Sequence, residues 1–373
     1  MSTFIRSVKG ALSRIAQKVR KNITVLKKIL PILSFIIPFL ILYSLYPNTF
    51  EATWKGRTYY LFFLWLACLE IILDSEELQT SKVDKLKSVR TIAFCISLIL
   101  PTAYVLVANY YGLNATIAEL IKQMNISFIE WMLISIEYLI FTMFFTLTIL
   151  LEYGIKGLKS FLLPTVFLGT IGTIYVIDNV YPNGQFTPFQ ILVPTTAKLA
   201  TYVLEFMGYR TVMDPNTSIG MPYVAVFDQN GIPQGFYIAW PCSGVESLLI
   251  YTLVILLFFK KTAIPWKHRI IYFIIGAIIT YLINILRIVT IFLLAAKYGT
   301  RSPEVWSFHD FYGQLYSIAW IISYPLIVIG TRSLWSKIRN KYIKHPKSLA
   351  SGDSRNEIAK GNGCKNFKNS NQH

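Results

Sequence analysis

The sequence predicts an all-α polytopic membrane protein of about eight transmembrane helices, both termini on the cytoplasmic side, with a small extracytoplasmic insert containing a β-hairpin. Three observations predict it. Mean hydropathy is +0.49 and only 15% of residues are charged, against about 25% in a soluble domain. Eight apolar runs, near 29–46, 58–74, 91–111, 128–151, 161–178, 243–260, 269–297 and 313–333, reach or approach the length of a membrane-crossing helix, which is about 20 residues. Basic residues collect in alternate connections: 28 of the 36 Lys and Arg lie in 1–28, 75–90, 152–160, 260–269 and 332–373, seven lie in the remaining connections, and Arg287 lies inside a run. Short cytoplasmic loops retain Lys and Arg, so this bias orients the chain. The net charge of +17 is then a topology signal, and no nucleic-acid partner is expected.

Taken in order, 1–28 is a basic cytoplasmic segment able to form an interfacial amphipathic helix. The run near residue 29 is followed by no small-residue cleavage site, so no cleavable signal peptide is expected. Residues 29–341 form the eight-helix membrane domain, interrupted by the outer insert 179–241. Within the insert, Thr195 to Met207 carries apolar residues at helical spacing and predicts a short helix lying on the membrane. Two alternating segments, Tyr223 to Asp228 and Gly235 to Trp240, flank Asn230-Gly231 and predict a hairpin. Its second strand runs directly into Pro241-Cys242. The tail 342–373, rich in Lys, Asn, Ser and Gly, reads as a disordered basic cytoplasmic segment.

The four cysteines, at 68, 95, 242 and 364, form no CxxC pair and no zinc spacing, so neither a metal nor a cofactor is expected. Cys242 differs from the others by its setting, Trp240-Pro241-Cys242-Ser243-Gly244-Val245-Glu246-Ser247. Ser243 reads as a helix N-cap and Glu246 as its capping-box partner. That places Cys242 at the positive end of a helix dipole, which favours the nucleophilic thiolate. Arg287, in an otherwise apolar run, is costly unless it faces a polar cavity or a partner. Asn284, one turn earlier, shares its face, and Glu246 is the obvious ion-pair partner. His309, in the segment Ser302 to Gly313, is the one histidine of four placed on the outer side; Ser302-Pro303 marks the start of its helix. Asp310 either orients the imidazole or is simply solvated, and the solvated reading is preferred. A thiol, an imidazole and a guanidinium on three separate elements suit acyl transfer through a thioester: Cys242 attacks a carbonyl, His309 moves protons, and Arg287 offers a fixed cation.

Pro241-Cys242-Ser243-Gly244-Val245-Glu246-Ser247, Asn284-Ile285-Leu286-Arg287-Ile288 and the His309 segment resemble the three signature blocks of exosortases and archaeosortases, over roughly the last third of the chain. The resemblance implies a membrane-embedded cysteine protease/transpeptidase at the outer face of a prokaryotic cell membrane. Its partners would be membrane-anchored exported proteins bearing a C-terminal sorting signal (a short motif, a hydrophobic helix and a basic cluster). Cleavage would proceed through a cysteine thioester, with transfer of the new C-terminus to a membrane lipid. The family's catalytic cysteine, arginine and third residue carry over to Cys242, Arg287 and His309, with Ser243, Gly244, Glu246 and Asn284 in support. A histidine at the third position is closer to the exosortase pattern, since some archaeal members carry arginine there. The Lys/Ile/Asn-rich composition suggests an archaeal source. The insert and the basic tail match nothing in the family pattern.

Two other functions fit the same residues. One is a lipid or glycan acyltransferase using Cys242 on a non-protein donor. The other is an anion transporter in which Arg287 binds the solute; no repeated halves and no paired intramembrane charges are visible to support it. One geometric tension also stands. Arg287 lies about ten residues from the outer end of its run, roughly 15 Å along a straight helix, so either that helix projects beyond the bilayer or the site is sunk into it.

Overall fold

The computed structural model describes residues 28–51, 55–74, 89–124, 126, 129–182, 185–215, 217–260 and 262–344. The basic segment expected over 1–28 lies outside the described residues except for Lys28. So does the tail expected over 342–373, except for three residues that end the last helix.

The described chain is mostly helical because lipid offers the backbone no hydrogen-bonding partner, and a helix satisfies its own. The helices are α1 Lys28–Leu45, α2 Thr58–Asp74, α3 Val89–Tyr110, α4 Leu113–Gln123, α5 Ile129–Ser160 and α6 Leu162–Val180. They continue as α7 Val193–Phe206, α8 Val245–Lys260, α9 Trp266–Tyr298, α10 Pro303–Ser307 and α11 Gly313–Lys344. Every run read as a span is helical. Six segments among the described residues are long and apolar enough to cross a membrane: α1, α3, α5, α6, α9 and Pro303–Trp335. Of the eight runs read as spans, these six have the length and composition of a crossing helix among the described residues. α2 has 17 residues and α8 has 16, about 24–26 Å of helix at 1.5 Å per residue, short of the roughly 30 Å hydrocarbon core.

The chain divides into two compact units, Met1–Ile321 and Ile322–His373. The described part of the second is the remainder of α11, with Pro325 inside the helix.

Two of the apolar clusters in the first unit position the site. One is aromatic, formed by α1, α2, α5 and α6, where Phe35 meets Phe63, Phe141 and Phe145 edge-on at 5.5–5.9 Å. α5 and α6 form an antiparallel pair held close by small residues. A Cβ at Gly172 would sit 3.0 Å from Leu139 and 3.1 Å from Tyr138. The second core joins the insert to α9: Val193, Ala197, Ala200 and Leu204 of α7 pack with β-strand residues and with Ile285, Ile288, Val289 and Phe292 of α9. The apolar face of α7, read from the sequence as lying on the membrane, is therefore buried in protein.

The hairpin forms as expected. β2 (Tyr223–Phe227) and β3 (Pro233–Tyr237) pair antiparallel with Ala225 opposite Gly235. Between them Asp228 Oδ1 accepts the N–H groups of Asn230 and Ile232, and Gly231 takes φ 75°. A third strand, β1 (Thr211–Asp214), pairs antiparallel on the other side of β2 and was not expected. The sheet order β1-β2-β3 leaves β3 at an edge. β3 leads directly into a 3₁₀ turn, Trp240–Ser243, and then into α8.

Candidate active site

The turn bearing Cys242 is held by its carbonyls. Ser243 Oγ donates to Trp240 O at 2.6 Å, Asn284 Nδ2 donates to Cys242 O at 2.9 Å, and Thr196 Oγ1 donates to Ser243 O at 3.1 Å. Thr196 also lies 2.8 Å from Tyr281 Oη. α7 and α9 thus clamp the turn from two sides. Its entry is pinned by the indole of Trp240, which donates to Asp178 Oδ1 at 2.6 Å. Gly244 then takes φ 96°, a conformation that carries no Cβ strain only in glycine. A Cβ there would also sit 3.1 Å from Asn284 Nδ2.

This arrangement replaces the expected capping box. α8 begins at Val245, and Gly244 O accepts its first helical N–H, from Leu248. Ser243, whose hydroxyl is committed to Trp240, is one residue too early to cap it. Nor do Glu246 and Arg287 pair: among the described residues no ion pair within 4.0 Å joins them.

The three dispersed residues do meet. Cys242 Sγ lies 3.7 Å from His309 Nε2. His309 Nδ1 lies 2.7 Å from Asp310 Oδ1, so Asp310, read as solvated, orients the ring although its own side chain is 69% exposed. With Nδ1–H directed at the carboxylate, Nε2 is left to accept the thiol proton. Arg287 is buried and donates from Nη2 to the His309 carbonyl at 2.9 Å. Burial pushes the Cys242 thiol up, but the hydrogen bond and charge of His309, with Arg287 behind them, outweigh it and hold the thiol below its ordinary value. Local activation thus comes from the imidazole and the guanidinium.

His309 owes its position to irregular backbone. Ser302 caps α10 as expected, accepting from Val305 N–H at 3.4 Å. Phe308–Tyr312 forms one π-helical turn between α10 and α11; such bulges occur often at functional sites. At its end stands Gly313, where a Cβ would lie 2.8 Å from Phe308 O, 2.9 Å from Arg287 Nε and 3.1 Å from Arg287 Cγ. Gly313 makes the space that Arg287 fills. Ser247 Oγ to Ser317 Oγ, at 3.2 Å, ties α11 to α8.

A cavity of about 280 Å³ opens beside Cys242 and His309. One wall is β3 and its extension (Phe236, Tyr237, Ile238 and Ala239); Phe292 and Trp306 form part of the other side. Among the described residues no group of three or more His, Cys, Asp or Glu is placed to hold a metal.

Sequence reasoning missed the polar layer that braces the site. Lys55 Nζ lies 2.6 Å from Asp178 Oδ2 and 2.7 Å from Asn179 Oδ1, and Arg57 binds Glu137 through two 2.8 Å hydrogen bonds. All of these side chains are buried. Burial pulls the Lys55 ammonium down despite Asp178. Their signal was the acids inside apolar runs, Glu137 and Asp178. Lys260 and Glu70 pair at 2.7 Å at the other end of α2 and α8. Each of these pairs joins an acid within a helix to a cation at or beyond a helix end.

α9 relates the site to the apolar surface. Ile270, Ile271, Ile274, Ile275, Ile278, Leu282 and Leu286 form an exposed stripe. Beyond Leu286 its next large apolar side chains, Ile288, Val289, Ile291 and Phe292, are buried. Arg287 stands at that change.

No curated protein and no solved structure matches the chain. A family model, that of the transmembrane exosortase (Exosortase_EpsH), matches residues 117–325. This is more than half of the chain, and it takes in Cys242, Asn284, Arg287 and His309. The chain belongs to the transmembrane exosortase family.

Proposed function

We propose that this protein is a membrane-embedded cysteine transpeptidase in which Cys242, His309 and Arg287 carry the chemistry. The observation that carries the reading is the 3.7 Å approach of Cys242 Sγ to His309 Nε2 beside an apolar cavity. His309 Nε2 takes the thiol proton, and the thiolate attacks the scissile carbonyl carbon. Arg287 stabilises the oxyanion. As the tetrahedral intermediate collapses, the C–N bond breaks, His309 delivers its proton to the departing amine, and a thioester remains on Cys242. An incoming nucleophile, its proton taken by His309, then releases the acyl group. Asp310 holds the imidazole tautomer throughout, and Asn284 holds the carbonyl of the nucleophile.

The substrates are membrane-anchored proteins with a hydrophobic C-terminal sorting signal, and the acceptor is a membrane lipid. Both termini lie in the cytoplasm and the site faces outward; the asymmetry of Lys and Arg supports that orientation. The apolar stripe of α9 supports a site at the membrane boundary. From Ile270 to Leu286 it spans about 24 Å, and the 33 residues of α9 extend about 50 Å. A helix of that length in a core of about 30 Å projects, and the projecting part is the part covered by β2, β3 and α10. Of the two alternatives for Arg287, this favours projection.

The test is to replace Cys242 by Ser and to trap the acyl-enzyme in the unmodified protein for mass spectrometry. Cys242→Ser is expected to insert normally and to leave exported substrates uncleaved, and the trapped adduct is expected to be a peptide. A Cys242→Ser protein that still cleaves them overturns the proposal. A fatty acyl or glycan-derived adduct would assign the same cysteine to an acyltransferase.

A further inference from the structure

The last two residues of β3, Phe236 and Tyr237, and the two that follow it, Ile238 and Ala239, line the cavity beside Cys242 in unbroken succession. A strand that shows a cavity one of its faces contributes alternate residues; Phe236 and Tyr237 are adjacent in β3 and point to opposite faces, so the cavity reaches the edge of the strand. The ladder identifies that edge. Asp228 N–H donates to Ile232 O and Ile238 N–H to Pro222 O, which brackets the β2–β3 pairing. Hydrogen-bonded and non-hydrogen-bonded pairs alternate in an antiparallel ladder. With the observed register, Gln234 and Phe236 therefore direct their N–H and C=O groups at β2, and Gly235 and Tyr237 direct theirs away from it. The other ladder agrees: Phe227 N–H donates to Arg210 O, so β2 uses its odd-numbered residues toward β1 and its even-numbered ones toward β3. No strand covers the outer edge of β3 among the described residues. Its backbone then turns into Cys242 through Ala239, whose carbonyl accepts the Cys242 N–H at 3.0 Å.

We infer that the free edge of β3 is the substrate subsite, and that it takes an extended peptide as a fourth strand through the main-chain groups of Gly235 and Tyr237. This rests on the transpeptidase reading above. An edge strand holds a peptide through its backbone and reads side chains only at alternate positions. Paired edge to edge, the peptide is held straight where β3 meets the nucleophile, and its carbonyls are carried past Cys242. The cavity lining is apolar, with Phe236, Ile238, Phe292 and Trp306 around it, so a segment of small or apolar residues fits.

The test uses the full chain in lipid nanodiscs with acetyl-tetraalanine chloromethyl ketone. Cys242 Sγ displaces its chloride to form a thioether, and mass spectrometry reads the labelling rate. The comparison is with iodoacetamide, each rate being normalised to that of free cysteine. Methyl groups are then placed on the probe's amide nitrogens one at a time. The expected result is a peptide advantage that falls by roughly fivefold to tenfold, the effect of one main-chain hydrogen bond, on methylation at alternate nitrogens and little at the others. Tyr237→Pro, which removes an N–H outside the ladder, is expected to lower the normalised advantage to the same degree, whereas Tyr237→Ala retains it. Should Tyr237→Pro not fold, the methylated series decides alone. An advantage that shows no alternation, or no peptide advantage at all (as when a second copy of the chain occupies the edge), overturns the subsite. A Cys242 that iodoacetamide labels no faster than an unactivated thiol sinks the transpeptidase proposal itself.

Discussion

Replacing Gly313 by Ala tests whether the position of Arg287 matters for chemistry. The added methyl would lie 2.8 Å from Phe308 O and 2.9 Å from Arg287 Nε, closer than carbon packs against either. The carbonyl belongs to the π turn, so the guanidinium must give way. Overpacking of this kind costs about 1–3 kcal/mol, and exchanging glycine for alanine in a helix returns about 1 kcal/mol. Net destabilisation is then at most about 2 kcal/mol, a shift of a few degrees at most in the thermal midpoint.

The functional effect is larger. Displacement breaks the 2.9 Å bond from Arg287 Nη2 to the His309 carbonyl. A hydrogen bond from a charged donor contributes about 1.5–3 kcal/mol, which corresponds to roughly 10-fold to 150-fold in rate at 1.4 kcal/mol per decade. Arg287 also helps to hold the Cys242 thiol down, so its departure moves the thiolate to higher pH. The assay is the rate of Cys242 alkylation by iodoacetamide from pH 6 to 10, beside the rate of substrate cleavage. Gly330→Ala is the control, since a methyl there meets nothing within 4 Å. A Gly313→Ala protein with the alkylation profile and cleavage rate of the wild type would refute the role given to Arg287.

His309→Gln removes the largest influence lowering the Cys242 thiol; the thiolate then forms only at higher pH, and the alkylation midpoint moves in the alkaline direction. Asn284→Ala leaves Cys242 O without its 2.9 Å donor, which is expected to cost about 1–3 kcal/mol, read as a lower unfolding midpoint together with slower labelling. Asp178→Ala strips a buried ammonium of its carboxylate at 2.6 Å, expected to cost about 3–5 kcal/mol; Lys55→Met in the same protein restores much of that stability in a denaturation assay, because no buried charge is left over. Cysteines introduced at Leu286 and Tyr298 report the depth of α9: in intact cells a membrane-impermeant maleimide is expected to label Tyr298→Cys and to spare Leu286→Cys, and equal labelling of both would contradict the projecting helix.

Periodicity and composition made the helices legible, because a run such as Phe141 to Leu151 can satisfy its backbone in lipid in only one way. The hairpin was legible because Asn230-Gly231 has the turn chemistry that its strands require. β1 was not: its four residues, Thr211-Val-Met-Asp214, have no pattern apart from the partner they add to. At the site, Cys242, Arg287 and His309 stood out by residue type and setting, and Asn284 by sharing a helix face with Arg287. Their supports did not stand out, since they act through tertiary distance. Asp178 reaches Trp240 across 62 positions, and Gly313 is explained only by the guanidinium beside it. The capping box failed for a local reason: Pro241 starts a 3₁₀ turn, which delays α8 until after Gly244.

The pairing state of Arg287 says most about what the site is built for. An arginine that merely stabilises a bundle is expected to bind a carboxylate, as Arg57 binds Glu137 through both arms, and its field is then largely neutralised. Arg287 is as deeply buried, yet among the described residues no carboxylate lies within 4.0 Å of it. It donates instead to a neutral carbonyl, and among the described residues its Nε has no partner. Nearby Glu246 does not close the distance. An unpaired cation in such surroundings is costly, and the fold makes room for it at Gly313. The cost makes sense if the missing anion arrives with the reaction, as the Cys242 thiolate and then as the oxyanion of the tetrahedral intermediate. Pairing Arg287 with an acid would lower that cost and at the same time remove the field that both anions need.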